Sequence, residues 1–383
     1  MATAFKTSST ATVYRRPRNF QWSWKTITES DISLANLESW MKYSDVSNEI
    51  LEDAFTRNVT EVEIDDGYIV NVISYFQYNK RDKEKKWLVK RIPSECDHTM
   101  NHQRQDRFSL PVIQTFTQSE SRDTALCLEG MDSLRFPDIY YRREVENTSK
   151  TYADIVREAT QGILKEGFNV GKPLEAKWLA RQLRAVRHFG AHTRPLYSDF
   201  HYRDVPDEIG QTCVYLYTKE CFWYKLINSA MRNLNTITNA QLKTLGPFAY
   251  ILDSYLHCIK TTNIARVYRG LDLTNEQLRK YSNKELLYYF TSFTSTTWNR
   301  ENAEKFDGNT LFIIDLKFDS IRSRPVTARP CGANISSMSD FPTEEEFLIW
   351  PATAFELISH IHENNKHIVH FRLSRKKSGA AEF

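Results

Sequence analysis

Glycine is scarce in this chain, 12 among 383 residues. No G-x-G-x-x-G and no G-x-x-x-x-G-K-[ST] occurs, which excludes a Rossmann turn and a P-loop as phosphate cradles. Any nucleotide phosphate would have to be held by side chains, and the planar fork of arginine suits that task best. Cysteine is sparse as well, six residues at irregular positions (96, 127, 213, 221, 258 and 331). No apolar run approaches the roughly 18 residues of a membrane-spanning helix. The opening MATAFKTSSTATVYRRPR has no apolar core of signal-peptide length. The expectation is reduced thiols in an intracellular protein, cytoplasmic or nuclear, not secreted and not held by a membrane. With a net charge of only +3 and acidic and basic residues interleaved, no direct DNA binding is expected.

Aromatics, by contrast, are plentiful near the start: Trp22, Trp24, Trp40 and Tyr43. SNEILEDAF follows with a helical face of Ile50, Leu51, Ala54 and Phe55, and Ser47 or Asn48 as the expected N-cap. TEVEID and YIVNVISYF read as strands joined by an Asp66-Gly67 hairpin turn, and KKWLVKRI as a third strand closed by Pro93. Helical periodicity then marks TYADIVREATQGILKEGF, LEAKWLARQLRAVRHF, TKECFWYKLINSAMRNL and GPFAYILDSYLHCI. After Thr262 the pattern turns to strands: ARVYRGL, YYFTSFTSTT, NTLFIIDLKF, EEFLIW, AFELISHI and HIVHFRLS. The short helix NRENAEKF interrupts them, with Asn299 as its cap. The fold class is α+β, with helices preceding a mainly antiparallel set of strands. The expected organisation is a disordered tail 1–18, a small α+β domain 19–95, a linker 96–150, a helical segment 151–210, a domain 211–375, and a tail 376–383.

Three short motifs in the last domain carry chemistry. VYRGL places Arg269 within a strand, FTSFTSTT alternates hydroxyls with Phe290 and Phe293, and FPTEEEFLIWP sets Glu344, Glu345 and Glu346 at the mouth of an apolar strand. Singly, each has an ordinary reading: a solvent-facing arginine, a half-buried β-strand with a polar edge, an acidic turn. On strand alternation, Glu344 and Glu346 would face one side and Glu345 the other.

Together and in this order, the motifs resemble the arginine-serine-glutamate class of ADP-ribosyltransferases. Tyr215 to Thr218 and Tyr224 to Arg232 resemble that family's helical lead-in, so the likeness spans about residues 213 to 375. It implies a domain with a helical lead-in and two packed, mainly antiparallel sheets. It also implies NAD as co-substrate, no metal, and transfer of ADP-ribose to protein arginine. By the same resemblance Glu346 is the catalytic carboxylate and Arg269 the phosphate-binding residue. Ser295 supports the pocket and helps fix Glu346, with Gly270 and Thr296 beside them. Glu344 orients the acceptor arginine, and the loop from Asn334 to Thr343, with Phe341 as an aromatic contact, meets the target protein. The family usually has Ser-Thr-Ser where this chain has Ser295-Thr296-Thr297, a departure expected to have a modest effect. A strand histidine in place of Arg269, the polymer-making pattern, is absent. The alternatives are an NAD glycohydrolase, with water as acceptor, and a catalytically silent interaction protein.

Trp22 or Trp24, Trp40 and Glu52 are similar in type and spacing to the WWE domain. That likeness implies binding of poly-ADP-ribose through its iso-ADP-ribose unit, with Trp40, Tyr68, Gln77 and Arg91 as ligand residues. Aromatic rings would stack on adenine, an amide would read its edge, and arginine would meet phosphate. A core role for the same aromatics, or a protein ligand, is the competing reading. Cys96, His98 and His102 lie close together, but without a second pair at metal spacing they read as a loop.

Overall fold

The computed structural model describes residues 19–25, 40–94, 113–116, 135–195, 204–232, 236–306, 308–317 and 330–374. The tails expected at 1–18 and 376–383 and the Cys96, His98 and His102 group lie outside the described residues.

The N-terminal unit is a six-stranded antiparallel sheet around one helix. Its strands are β1 (Phe20–Lys25), β2 (Trp40–Lys42), β3 (Glu61–Ile64), β4 (Tyr68–Asn71), β5 (Phe76–Asn79) and β6 (Asp82–Pro93), in the order β2-β1-β6-β5-β4-β3. Helix α1 (Asp45–Thr56) begins earlier than expected, because Ser44 is its cap and accepts from the Ser47 N–H at 3.0 Å. Asn48 is otherwise engaged: its side chain accepts from Trp22 N and donates to Phe20 O, which fixes β1 to the helix. Asp66 and Gly67 both have positive φ, 67° and 75°, as a tight reversal requires. The run YIVNVISYF is two strands rather than one. Asn71 accepts from the N–H groups of Ile73 and Ser74, and Tyr75 takes a left-handed φ of 56°, so the chain turns between β4 and β5.

The helical layer comprises α2 (Phe136–Tyr140), α3 (Tyr152–Asn169), α4 (Pro173–Ala185), α5 (Asp207–Thr218), α6 (Phe222–Arg232) and α7 (Asn239–Cys258). Capping boxes at Thr151/Asp154 and Thr238/Gln241 start α3 and α7, each satisfying two backbone donors. Gly246-Pro247 reads in sequence as a helix start, yet α7 begins earlier and runs through it. Gly246 is where the Tyr140 ring lies against the helix, since a Cβ there would sit 2.6 Å from that ring. Packing of this buried helix outweighs the cost of an internal proline. At Gly162 a Cβ would lie 1.9 Å from Thr244 O, so glycine is what lets α3 and α7 touch backbone to backbone. The helix expected from Thr218 starts only at Phe222, because Thr218 is the last residue of the preceding helix α5.

Nine strands follow one another in the order β12-β13-β10-β8-β11-β15-β14-β9-β7. They are β7 (Ile113–Phe116), β8 (Arg266–Leu271), β9 (Leu287–Phe290), β10 (Thr294–Thr297), β11 (Thr310–Asp315), β12 (Gly332–Asn334), β13 (Glu346–Ile349), β14 (Thr353–Glu363) and β15 (Lys366–Leu373). All pairs are antiparallel except β11 with β15. Between β8 and β10 a single residue pair remains, Tyr268 with Thr297. The ladder is thinnest there. Its strands bury Val267, Phe312, Phe347, Ile349, Phe355 and Phe371 in one cluster. Phe293, Ala333, Ile335 and Leu348 instead join the core of the helical layer. The stretch 291–297 is buried throughout, not half-buried with a polar edge. Two of its hydroxyls donate to backbone oxygens, Thr296 to Phe347 and Thr294 to Ser292.

The N-terminal unit and the helical layer share a polar seam. Helix α4 has Lys172 at its N-cap and no capping side chain of its own. Asp65, from the other unit, accepts from the N–H groups of Leu174 and Glu175 at 2.8 and 2.9 Å. A carboxylate supplied in this way satisfies two orphan donors and meets the positive end of the helix. Val46 of α1 completes the fit by joining the helical core. Asp65→Ala is expected to lower stability by about 1–2 kcal/mol, a lost N-cap, read as a fall in the thermal midpoint of the full chain.

Candidate functional site

Three adjacent strands assemble the residues singled out in the late motifs. Glu346 on β13 lies opposite Thr297 on β10, and Thr297 lies opposite Tyr268 on β8. Arg269 is the next residue along β8, and its Nη1 donates to the Ser295 carbonyl at 3.2 Å. Ser295 stands two residues from Thr297, on the same face of β10, with Leu348 across from it. Antiparallel pairing puts facing residues on one side of a sheet, so Ser295, Thr297 and Glu346 share a face. The residue paired with Glu346 in register is Thr297, at the position where the sequence departs from Ser-Thr-Ser. Thr297 is not legible as a partner in the sequence, because register, which only the fold sets, decides which residues pair across strands.

Both charged groups are taken out of water: Arg269 is 3% exposed and Glu346 0%. Burying charge is costly unless it is matched within the site, so the arrangement stores polarity in a small volume. Gly270 allows helix α9 to lie on β8, once α8 (Asn275–Arg279) and α9 (Arg300–Glu304) are counted. A Cβ at Gly270 would come 2.3 Å from Ala303 O. Thr296 donates to Phe347 O at 2.7 Å and binds β10 to β13.

The acidic run does not follow strand alternation. Pro342–Glu344 forms a 3-10 turn, Glu345 adopts a left-handed φ of 51°, and β13 starts only at Glu346. Side chains in a turn follow no two-residue period. Asn302 on α9 donates to Thr343 O and to the Glu345 carboxylate, at 3.0 and 3.3 Å, and so holds the turn down. Glu344 is half-buried on this turn. Upstream, Ile335 N donates to Glu346 O and Asp340 N to Thr218 Oγ1 at 3.0 Å. Phe341 is buried, at 8% exposure, so little of its ring is open to an incoming protein.

In the N-terminal unit the four ligand candidates separate into two groups. Arg91 is committed to Glu52, with its Nε at 2.7 Å and its Nη2 at 3.0 Å, and lies over the rings of Phe20 and Phe55. The Trp22 indole N–H donates to the same carboxylate at 2.5 Å. Trp22, Glu52 and Arg91 therefore knit β1, α1 and β6 together. Gln77 is buried and accepts from the Tyr43 hydroxyl at 2.7 Å. Tyr68 meets Trp87 edge to face. Trp40 is half-buried on the edge strand β2, with the Lys90 ammonium 4.1 Å above its ring. Arg91 and Gln77 thus do structural work that their residue types did not reveal.

Three cavities among the described residues lie elsewhere. One of about 370 Å³ runs between α1, β3 and α4, lined in part by Asp53, Arg57, Glu63, Trp178 and Arg181. Another of about 290 Å³ lies between α3 and α7, and a third of about 180 Å³ beside His257, Cys331 and Trp350. Among the described residues no group of three or more His, Cys, Asp or Glu side chains could hold a metal ion.

The chain matches the family model described as NAD:arginine ADP-ribosyltransferase over residues 149–379, more than half its length, and that of the WWE domain over residues 20–91. Comparison with curated proteins finds no match. Among solved structures it is similar to the ADP-ribosyltransferase HopU1 of Pseudomonas syringae pv. Tomato DC3000, at 21% identity, 45% of this chain, 79% of that one and a TM-score of 0.36. For the eucaryotic mono-ADP-ribosyltransferase ART2.2 the values are 19%, 59%, 88% and 0.37. For the type III effector XopAI from Xanthomonas axonopodis pv. citri they are 13%, 62%, 96% and 0.39.

If the Glu52–Arg91 pair is structural, Arg91→Leu leaves a largely buried carboxylate without its guanidinium. The expected cost is about 2–4 kcal/mol, seen as a shift in the denaturant midpoint of tryptophan fluorescence. An unchanged midpoint would return Arg91 to the surface-ligand role.

Proposed function

Because this chain belongs to the NAD:arginine ADP-ribosyltransferase family and carries an N-terminal WWE domain, we propose that it transfers ADP-ribose from NAD to arginine side chains of proteins and releases nicotinamide. The observation that supports this most is the alignment of Glu346, Thr297 and Tyr268 across β13, β10 and β8, with Arg269 hydrogen-bonded to the Ser295 carbonyl beside them. The donor set fits a dinucleotide: a guanidinium for phosphate, hydroxyls for the pocket wall, and a carboxylate for a ribose hydroxyl.

Cleaving the bond between nicotinamide and ribose builds positive charge on the sugar, as in glycoside hydrolysis. Glu346 supplies the facing negative charge. Because it is buried, its field acts through a medium less screening than water. Arg269 holds phosphate with its fork, and Ser295 and Thr297 line the face that Glu346 shares. Glu344 sits on its turn two residues upstream, close enough in the chain to orient an incoming arginine and draw off charge as that guanidinium attacks. Glutamate at this place supports arginine over water as acceptor, which favours transfer over simple NAD hydrolysis.

Glu346→Gln is expected to reduce both nicotinamide release and arginine labelling by about 10²–10³-fold, the size of a lost transition-state contact. Glu344→Gln is expected to spare nicotinamide release and lose labelling of agmatine. Parallel loss of both in Glu344→Gln would sink the division of roles.

For the N-terminal domain we propose binding of the iso-ADP-ribose unit of poly-ADP-ribose. Support comes from Trp40 and Tyr68, half-buried aromatics on the sheet, and from Lys90, which sets a cation over the Trp40 ring. Stacking of a base on such a ring is worth about 1–3 kcal/mol. Titration of the full chain with iso-ADP-ribose should give single-site heat that Trp40→Ala removes; no heat with the unaltered protein would exclude a polymer reader.

A further inference from the structure

Residues 218–220, at the end of α5, are gripped from two sides. From the WWE domain, Glu49 on α1 meets the Lys219 ammonium at 3.0 Å. Asp45 accepts from Glu220 N at 2.6 Å and donates its own N–H to Glu220 O. From the loop that leads to Glu344, Asp340 meets the same ammonium at 3.2 Å, and its N–H donates to Thr218 Oγ1. Lys219 is 0% exposed and lies over the rings of Tyr215 and Trp178, at 4.4 and 5.4 Å. Burial works against its charge, but Asp340, Tyr215 and Glu49 outweigh that and hold the ammonium well above the usual lysine value. A point charge with three donors can serve carboxylates arriving from two directions, which a flat guanidinium does less well.

We infer that Lys219 is a positioning residue of the transfer reaction, joining the WWE domain to the loop that carries Glu344, so that the WWE domain is a structural part of the acceptor site. This rests on the assignment of Glu344 as the residue that orients the acceptor. The physical ground is economy of contacts. Asp340 lies four residues before Glu344, and on its near side the loop is held to α5 through Thr218 and Lys219. Lys219 in turn is held by Glu49, from a domain that shares no strand with the catalytic sheets. Arg269, Ser295 and Glu346 are held by the β8, β10 and β13 ladder, and the loop touches Glu346 only through its start, where Ile335 N and Ser336 Oγ donate to Glu346 O. Loosening Glu49 therefore disturbs the acceptor loop and leaves the bond-breaking residues in place.

The test uses the full chain and three readouts: nicotinamide release without acceptor, agmatine labelling, and amide hydrogen exchange across residues 335–345. Glu49→Gln is expected to lower labelling about tenfold, a loss of roughly 1.4 kcal/mol in the transfer step, with nicotinamide release changed less than about twofold. Exchange in 335–345 rises. Lys219→Met shows the same split more strongly, and Lys219→Arg recovers part of it. Thermal midpoints identify any variant that has lost its fold, in which case Glu49→Gln alone is read. Unchanged labelling and exchange in folded Glu49→Gln, or equal loss of both activities, overturns the inference. Glu344→Gln run in parallel separates the two ideas. If it splits the activities and Glu49→Gln does not, only the positioning role fails. If Glu344→Gln does not split them, the acceptor assignment fails, and exchange in 335–345 alone decides the link.

Discussion

A guanidinium and a carboxylate are kept out of water on two strands with one strand between them, and much of the catalytic half is organised around that burden. Buried charge destabilises a fold unless partners are fixed in place. For Arg269 the partner is the backbone of β10, the strand between β8 and β13. Arg269 spends a donor on the Ser295 carbonyl, and Thr296 ties β10 to β13. A single residue pair joins β8 to β10, so the polar row sits where the nine-strand ladder is thinnest.

The same solution recurs between the domains. Asp65 caps a helix that has no cap of its own. The serines at 44 and 47 donate to Glu175, and Glu49 and Asp45 reach the end of α5. These are buried or half-buried polar contacts whose loss strands a charge, so the two units behave as one piece although their sheets are separate. A family of sites that needs a loop in a fixed place gains from such a brace, because orientation of reacting groups accounts for a large share of catalysis.

Much of this was legible in the chain. The α+β class and the order of helices before strands followed from periodicity, which survives any detail of packing. Arg269, Ser295, Glu344 and Glu346 were found as residue types in a fixed order. The Asp66-Gly67 turn and the Asn299 cap were read from local chemistry that needs no distant partner. Errors fell where a long-range contact competed with a local one. Ser47 or Asn48 reads as the cap, but Ser44 takes that place and the Asn48 amide holds β1. Gly246-Pro247 was expected to start a helix, but Tyr140 packs there and the helix continues.

What the sequence determined by itself was therefore the set of elements and the chemistry on offer, because propensity, caps and turns act within a few residues. Tertiary structure alone decided which groups meet. Register put Thr297 against Glu346, a 3-10 turn and a left-handed residue took Glu344 out of the strand pattern, and folding committed Arg91 to Glu52. It also buried Lys219 between Glu49 and Asp340, residues about 290 positions apart in the chain. No local rule can join them, since the free energy of that contact exists only once both domains have excluded water from it.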